Sequence, residues 1–171
     1  MHILDTERLR LRTLAPEDAP FYLEVVNTQG FIEFIGDRGI RTVDAAREAI
    51  ASGPAAMQAT LGHSLYLVER KEDGAPIGMC GLIKRETLAD VDIGYAYLPQ
   101  FGGMGYATEA AAGTLAYART LGIRRLLAIT SPGNHASNAV LRNIGMRFED
   151  LVHLTPDDTG TLLYSYDFAE S

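Results

Sequence analysis

The sequence has a single cysteine, Cys80, and this limits both its chemistry and its compartment. Without a second thiol there is no disulfide framework and no Cys-x-x-Cys metal or redox motif. The histidines are scattered, with neither a His-Glu-x-x-His pattern nor Cys/His spacing, so we predict no metal site. A lone thiol in the apolar run PIGMCGLI is typical of a buried structural cysteine, and a reducing compartment is the simplest interpretation.

Long apolar segments and basic clusters are also missing. No run approaches the roughly 18 apolar residues that a membrane helix needs, and the start of the chain lacks a basic segment followed by an apolar stretch. The formal net charge of −7 argues against nonspecific binding to nucleic acid or to a bilayer. We therefore predict a cytoplasmic protein, a monomer or a homodimer, with neither nucleic acid nor a membrane as its partner.

The composition is that of one folded domain. Hydrophobic residues make up 47% of the 171-residue chain and charged residues 22%, which is ordinary for a globular protein. A chain of this length corresponds to about one domain and can bury one well-packed core. Repeats, low-complexity tracts and linkers are absent from the sequence, so we predict a single domain over residues 1–171.

Hydrophobic periodicity predicts the order of secondary structure. Residues 8–14 alternate between polar and apolar side chains, as a half-buried strand does. Pro16 suits a helix start, Gly122 suits a helix end, and Gly53-Pro54 should kink the helix that contains them. The predicted strands are 8–14, 64–70, 77–84, 90–98, 125–130, 146–154 and 161–168, and the predicted helices are 15–30, 43–61, 106–121 and 134–145. This order predicts an α/β fold in which a mixed sheet carries helices on both faces.

The segment YLPQFGGMGYATEA, residues 97–110, places glycines at 102, 103 and 105 between a predicted strand and a predicted helix. Because glycines have no side chains, their backbone amide groups can converge on an anion, and the helix N-terminus adds roughly half a positive charge. Phosphate is therefore the expected ligand. A P-loop needs a Gly-Lys pair, which the chain lacks. A dinucleotide fingerprint needs a third small residue, but Thr108 stands there, and the region about 20 residues further on is basic rather than acidic.

A third phosphate-binding scheme is the acyl-coenzyme A loop, in which Arg or Gln is followed by x-x-Gly-x-Gly or x-x-Gly-x-Ala. Gln100 and Gly102 each start a possible match, and Pro99 together with YATEA favours the one from Gly102. Here VDIGYAYLPQFGGMGYATEA resembles the strand-loop-helix signature of the GNAT superfamily of N-acetyltransferases, in the branch of the ribosomal-protein N-terminal (alanine) acetyltransferases. RLRLRTLAPEDA resembles the first strand and helix of that branch, and NHASNAVLRNIGM resembles its final helix. The three matches stand in the expected order across most of the chain.

The resemblance implies a mostly antiparallel, twisted sheet of about seven strands and acetyl-CoA as the cofactor. It implies a primary amine as acceptor, either a small molecule or a protein N-terminus, which attacks the thioester directly in a ternary complex. The alternative is an acyl-CoA-binding sensor or interaction module without turnover, because Gly102 and Met104 replace side chains with which the family contacts the cofactor. The residues implied to bind the cofactor are Tyr97, Leu98, Gly102, Gly103, Met104, Gly105, Tyr106, Ala107, Asn134 and Arg142.

Two residues are implied as catalytic. Asp92 stands where related enzymes often carry Glu, so it is a candidate base, directly or through water. The alternative is a solvated strand carboxylate that fixes a neighbouring loop. The tyrosine of many family members is Leu141 here, but Ser137 matches the serine that donates a proton in the ribosomal-protein branch. Helix capping is the alternative role for Ser137, and it describes Asn134 better unless Asn134 also reaches the cofactor.

Recognition of the acceptor is expected in the segment GFIEFIGDRGI, residues 30–40. Phe31 and Phe34 would provide apolar walls and Glu33 a carboxylate for the amine, or all three would be core residues under a loop. Arg142 would meet the distal phosphate of the cofactor or be a solvated helix charge. Glu109 is expected to complement the helix dipole rather than to act in the chemistry.

Overall fold

An eight-stranded sheet runs through the computed structural model, which describes residues 1–168. The strands are β1 His2–Asp5, β2 Leu9–Thr13, β3 Leu65–Arg70, β4 Pro76–Ile83, β5 Asp92–Tyr97, β6 Arg125–Thr130, β7 Arg147–Val152 and β8 Thr161–Asp167. Their spatial order is β1-β2-β3-β4-β5-β6-β8-β7, and every adjacent pair is antiparallel except β5 and β6. The predicted α/β class and mostly antiparallel sheet are confirmed. The unpredicted strand, β1, is four residues long, too short to display a period of two.

Residues 1–168 contain six α-helices, four of which divide the two predicted helices 15–30 and 43–61. They are α1 Ala19–Val26, α2 Gln29–Phe34, α3 Val43–Ile50, α4 Ala56–Leu61, α5 Tyr106–Thr120 and α6 His135–Asn143. The predicted helix 15–30 ends early because Thr28 starts a new one, where its side chain accepts the Phe31 N–H at 3.2 Å.

The expected kink at Gly53-Pro54 takes the form of a π-helical turn, Ala51–Ala55, between α3 and α4. Pro54 has no N–H to donate to the regular helical ladder, and the wider turn accommodates it without ending the helix. None of the helices in the described part of the chain is long and apolar enough to span a membrane.

The helices cover both faces of the sheet, as the sequence predicts. α5 and α6 pack on one face against a cluster that contains Tyr66, Cys80 and Leu126. α1, α2 and α3 contribute to a second cluster with Leu67 and Met79 on the other face. Because side chains alternate along a strand, neighbouring residues such as Tyr66 and Leu67 serve different cores.

The two central parallel strands pair only briefly. Within residues 1–168, Asp92 and Leu127 are the one registered pair of β5 and β6, and the Leu127 N–H donates to the Val91 carbonyl at 2.9 Å. The sheet therefore opens between the two strands beyond Asp92. The open part of β5 leads directly into the glycine-containing loop, residues 102–105.

Replacing Gly81 by alanine should destabilise the sheet. A Cβ on Gly81 would overlap the Ser64 carbonyl oxygen and the backbone of Leu65, and rigid backbone cannot move aside cheaply. We expect Gly81→Ala to lower the free energy of unfolding by about 1–3 kcal/mol in urea titrations, the usual cost of overpacking. Gly30→Ala is the matched control, since its Cβ meets nothing within 4 Å and alanine favours helix. Equal stability of the two variants would contradict this packing account.

Candidate active site

The glycine-containing loop after β5 holds two residues in the left-handed backbone region. Gly103 has a φ of 76° and Gly105 a φ of 80°, values that residues with a Cβ rarely adopt. Gly102 has a φ of −71°, which any residue adopts. The backbone therefore requires glycine at 103 and 105 but not at 102.

The backbone N–H groups just after Gly102 have no hydrogen-bond acceptor among residues 1–168. Within residues 1–168, the N–H groups of residues 103–108 donate to no protein atom, whereas the Gly102 N–H donates to the Pro99 carbonyl at 3.0 Å. α5 begins at Tyr106 without a side-chain cap, so its first N–H groups and the positive end of its dipole are left for a ligand. These donors fit a diphosphate group, and the set begins at Gly103 rather than at Gly102.

The open edge of β5 presents the backbone of Tyr97 and not that of Leu98. The Leu98 N–H donates to the Ile77 carbonyl at 3.0 Å, so its backbone faces β4. Because backbone groups alternate along a strand, those of Tyr95 and Tyr97 point to the opening beside β6. The backbone contact expected of both residues is therefore left to Tyr97, while the Leu98 side chain is buried in the core.

Ser137 is linked to β5 by a tyrosine that sequence reasoning missed. The Tyr95 hydroxyl lies 2.9 Å from Ser137 Oγ and donates to the Ser137 carbonyl at 3.2 Å. Burial raises the pKa of Tyr95, so the phenol stays protonated at neutral pH. The tyrosine of many family members would lie on α6, where this chain has Leu141, whereas here the phenol of Tyr95 comes from β5. Tyr95 and Tyr97 are two residues apart on β5, so both side chains lie on one face of the sheet. This spacing was the signal for a phenol near α6 that the sequence offered.

The start of α6 is held by two asparagines. Asn134 caps the helix, because its Oδ1 accepts the Ser137 N–H at 3.2 Å, and its Nδ2 has no acceptor within residues 1–168. The buried Asn138 donates to the carbonyls of Ser131 and Asn134, at 3.2 and 2.8 Å, and accepts from the Tyr164 hydroxyl at 2.7 Å. These bonds fix the position of Ser137 relative to the sheet.

Asp92 lies at the closed end of the opening and is 0% exposed. Burial raises its pKa to about 6, although Arg85, whose Nε donates to Oδ2 at 2.8 Å, acts to lower it. The other carboxylate oxygen, Oδ1, is buried without a partner within residues 1–168. The expected alternative of a solvated carboxylate is therefore wrong, although the bond to Arg85 does fix the β4–β5 connection. A carboxyl group with this pKa can accept a proton at neutral pH.

The remaining residues expected at the cofactor differ in exposure. Met104 is 48% exposed, whereas Tyr106 is buried at the start of α5 and Ala107 is partly buried. Arg142 is exposed on α6, and its side chain forms no hydrogen bond or ion pair within residues 1–168, so the guanidinium is available to a phosphate or to solvent. No group of three or more potential metal ligands of the His, Cys, Asp or Glu type is assembled in the described chain.

The three residues expected to frame the amine differ in exposure along α2. Phe31 is buried in the second core cluster, as the alternative expectation had it. Glu33 is exposed, and Phe34 is partly buried. The Phe34 carbonyl accepts a hydrogen bond from Ser131 Oγ at 3.3 Å, so α2 contacts the connection between β6 and α6.

The geometry of this loop and opening agrees with what comparison with known proteins shows. Residues 8–147 match the family model described as the acetyltransferase (GNAT) domain, which is most of the chain. The chain belongs to the GNAT acetyltransferase family. This GNAT protein is 30% identical to YkkB of Bacillus subtilis (strain 168) over 155 residues, which cover 87% of each chain.

Solved structures share the fold over nearly the whole length of this acetyltransferase. An acetyltransferase from Agrobacterium tumefaciens str. C58 is 28% identical with a TM-score of 0.79, and the match covers 95% of this chain and 92% of that one. RimL, described as a ribosomal L7/L12 alpha-N-protein acetyltransferase in complex with coenzyme A, has a TM-score of 0.84 at 19% identity over 100% of both chains. The fold expected from the sequence is confirmed.

Gly103→Ala should weaken the binding of coenzyme A to this GNAT protein. The φ of 76° strains alanine, so the loop should shift and misalign its free amides. Isothermal titration with coenzyme A should show a dissociation constant raised at least tenfold.

Gly62→Ala is the matched control, because Gly62 has a φ of 79° at the end of α4, and a Cβ there also meets nothing within 4 Å. Both variants should lose roughly 1 kcal/mol of stability. A similar loss of coenzyme A affinity in both would contradict a specific role for the loop.

Proposed function

We propose that this protein transfers the acetyl group of acetyl-CoA to a primary amine, by direct attack in a complex of the enzyme with both substrates. The observation that carries the proposal is the row of six amides, residues 103–108, which have no acceptor among residues 1–168 and follow the open edge of β5. Donors for a diphosphate and a strand edge for an extended amide chain match the two halves of coenzyme A. RimL, which has the same fold, was solved with coenzyme A.

The residues that would hold the cofactor extend from the loop to α6. The amides of residues 103–107 would bind the diphosphate, and the outward carbonyl of Tyr97 would pair with the pantetheine arm. The free Nδ2 of Asn134 and the exposed Arg142 are available to an amide and to a further phosphate. Bound in this way, acetyl-CoA supplies an activated acetyl thioester.

Asp92 would be the base and Ser137 the acid, and the two side chains lie on opposite faces of β5. Ser137 contacts Tyr95, whose side chain faces α5 and α6. Asp92 precedes Tyr95 by three residues, so its side chain points to the other face. It lies about 10 Å along the strand from Tyr95. In this proposal a water molecule carries the proton from the amine to the buried carboxylate.

The transfer balances with these two groups. The amine nitrogen forms a bond to the acetyl carbon as the carbon–sulfur bond breaks. The proton lost by nitrogen goes to Asp92, and Ser137 gives a proton to the departing thiolate. The Tyr95 hydroxyl, 2.9 Å away, orients Ser137 Oγ. Asp92 then gives its proton to water and Ser137 takes one from water, so both groups are restored for the next turnover. The outward N–H of Tyr97 stabilises the negative charge that develops on the thioester oxygen.

The acceptor that this base suits best is an α-amine. A terminal α-amine has a pKa near 8, whereas a lysine side chain has one near 10 and needs a stronger base at neutral pH. Asp92, with a pKa of about 6, is better matched to the α-amine. The description of RimL as an alpha-N-protein acetyltransferase supports a protein N-terminus as the acceptor class, with small primary amines as the second.

We also place the protein in the cytoplasm, without nucleic acid or membrane as a partner.

Cys80 is the chain's one cysteine, is buried, and lies 3.4 Å from the Thr114 hydroxyl. Burial raises its pKa to about 12, so the thiol is not a nucleophile and transfer needs no acyl-cysteine.

Acetyl-CoA should release free thiol when it is incubated with the protein and an acceptor amine. The acceptors are a panel of peptides with free N-termini and small amines. A thiol reagent measures the release, and Nα-acetylated peptides serve as the control. Coenzyme A at 100 times its dissociation constant should stabilise the fold by about 2.7 kcal/mol. Stabilisation without thiol release from any amine would favour the non-catalytic binding module, and absence of both would refute the proposal.

Asp92→Asn should change the pH dependence of turnover. The carboxylate is the active form of the base, so the wild-type rate should fall as pH drops through about 6, where the buried carboxyl takes up a proton. Asparagine cannot accept the proton, so the variant should be slower at pH 7–8 and lack the fall near pH 6, keeping only the fall near pH 8 that protonation of the α-amine causes. Asp90→Asn is the control, since Asp90 is 44% exposed and pairs with Arg125. A fall in rate near pH 6 that survives in Asp92→Asn would remove this residue from the mechanism.

A further inference from the structure

Arg8, between β1 and β2, ties the first hairpin of the sheet to the glycine-containing loop. Its Nη1 donates to the Met104 carbonyl at 2.9 Å, and its Nε donates to Glu109 Oε1 at 2.7 Å. The guanidinium also lies over the Tyr106 ring, 4.5 Å from its centre. One side chain therefore contacts the loop, the first residue of α5 and the next turn of α5.

The bond to Met104 sets the direction of an amide in the loop. The peptide unit is planar and trans, so the Met104 carbonyl and the Gly105 N–H point in opposite directions. Arg8 holds the carbonyl on its own side of the loop, and the Gly105 N–H is thereby aimed at the other side. Gly105 is the residue that precedes α5, and its N–H has no acceptor within residues 1–168.

Glu109 anchors Arg8 and is itself neutralised by the same contacts. Its Oε2 accepts from the Thr6 hydroxyl at 2.5 Å and from the Arg8 N–H at 2.8 Å. Burial acts to raise the pKa of Glu109, but the hydrogen bonds from Thr6 and Arg8 outweigh it and lower the pKa overall. A carboxylate in the first turn of α5 would otherwise repel a diphosphate, and the paired guanidinium cancels that charge.

The ion pair of Arg8 is partly exposed, so it adds little to the free energy of folding. The Arg8 side chain is 43% exposed, and ion pairs at this exposure contribute little to the free energy of folding. A planar guanidinium can bond Met104 and Glu109 together because its donors form a fixed fork, whereas a lysine ammonium is a point charge. The Thr6 hydroxyl and the Arg8 N–H already attach the hairpin to Glu109, so the bond from the guanidinium to the Met104 carbonyl is the contact specific to the loop.

We propose that Arg8, anchored by Glu109, is a positioning residue that orients the Gly105 amide toward the diphosphate of coenzyme A. The inference rests on the proposed function, because it requires a diphosphate at the loop. Arg8 itself acts through the Met104 carbonyl and lies on the opposite side of the peptide unit from the ligand. The carboxylate of Glu109 is thus a structural partner of Arg8, in addition to its place near the helix dipole.

Titration with coenzyme A, together with steady-state kinetics, tests this role in Arg8→Gln and Arg8→Lys. Both variants should bind coenzyme A roughly tenfold more weakly, since one charge-assisted hydrogen bond to the loop is lost. The KM for acetyl-CoA should rise by a similar factor while kcat at saturation stays within twofold. Arg8→Lys keeps the charge opposite Glu109 and should unfold at the wild-type temperature, which separates loop orientation from folding.

Arg10→Gln is the control, because Arg10 is 54% exposed and pairs with Asp5 at 3.3 Å. It should retain wild-type affinity. Wild-type affinity in both Arg8 variants, or an equal loss in Arg10→Gln, would overturn the positioning role while leaving the proposed function intact. Failure of the wild-type protein itself to bind coenzyme A would overturn both.

Discussion

Six consecutive backbone amides without an internal acceptor, residues 103–108, are the constraint on which the rest of the site depends. The first N–H groups of any helix lack an intrahelical partner, and here the free donors extend back through the loop to Gly103, so the start of this 15-residue helix is suited to an anionic ligand. Two left-handed glycines make the exposure possible. β5 separates from β6 after Asp92 and then leads to the glycine-containing loop, so the strand opening and the anion site follow one another along the chain.

That opening also explains how the chemistry divides between the two faces of the sheet. Tyr95 and Ser137 meet on the face covered by α5 and α6, where the proposed thiol leaves. Asp92 points to the other face and is fully buried, and burial is what raises its pKa into a useful range. The sheet thereby separates the proposed base from the proposed acid, and a slot between two strands is the place where an amine and a thioester can meet.

The sequence predicted those parts of the molecule that depend on local pattern. Alternating strands, glycine helix ends and the spacing of the loop glycines are all short-range signals, and they led to the fold and to the family. Tyr95 beside Ser137 and Arg8 beside Glu109 join residues 42 and 101 positions apart, and no local period reveals such contacts. The burial of Asp92 and the bond that occupies the Leu98 amide likewise depend on neighbouring elements.

A crystal structure with bound coenzyme A tests the central claim most directly. The account predicts that the diphosphate oxygens lie within hydrogen-bond distance of the N–H groups of Gly103, Gly105 and Ala107, with the pantetheine arm along the open edge of β5. A diphosphate bound elsewhere, with the amides of residues 103–108 turned onto the protein's own carbonyls or onto water, would contradict it.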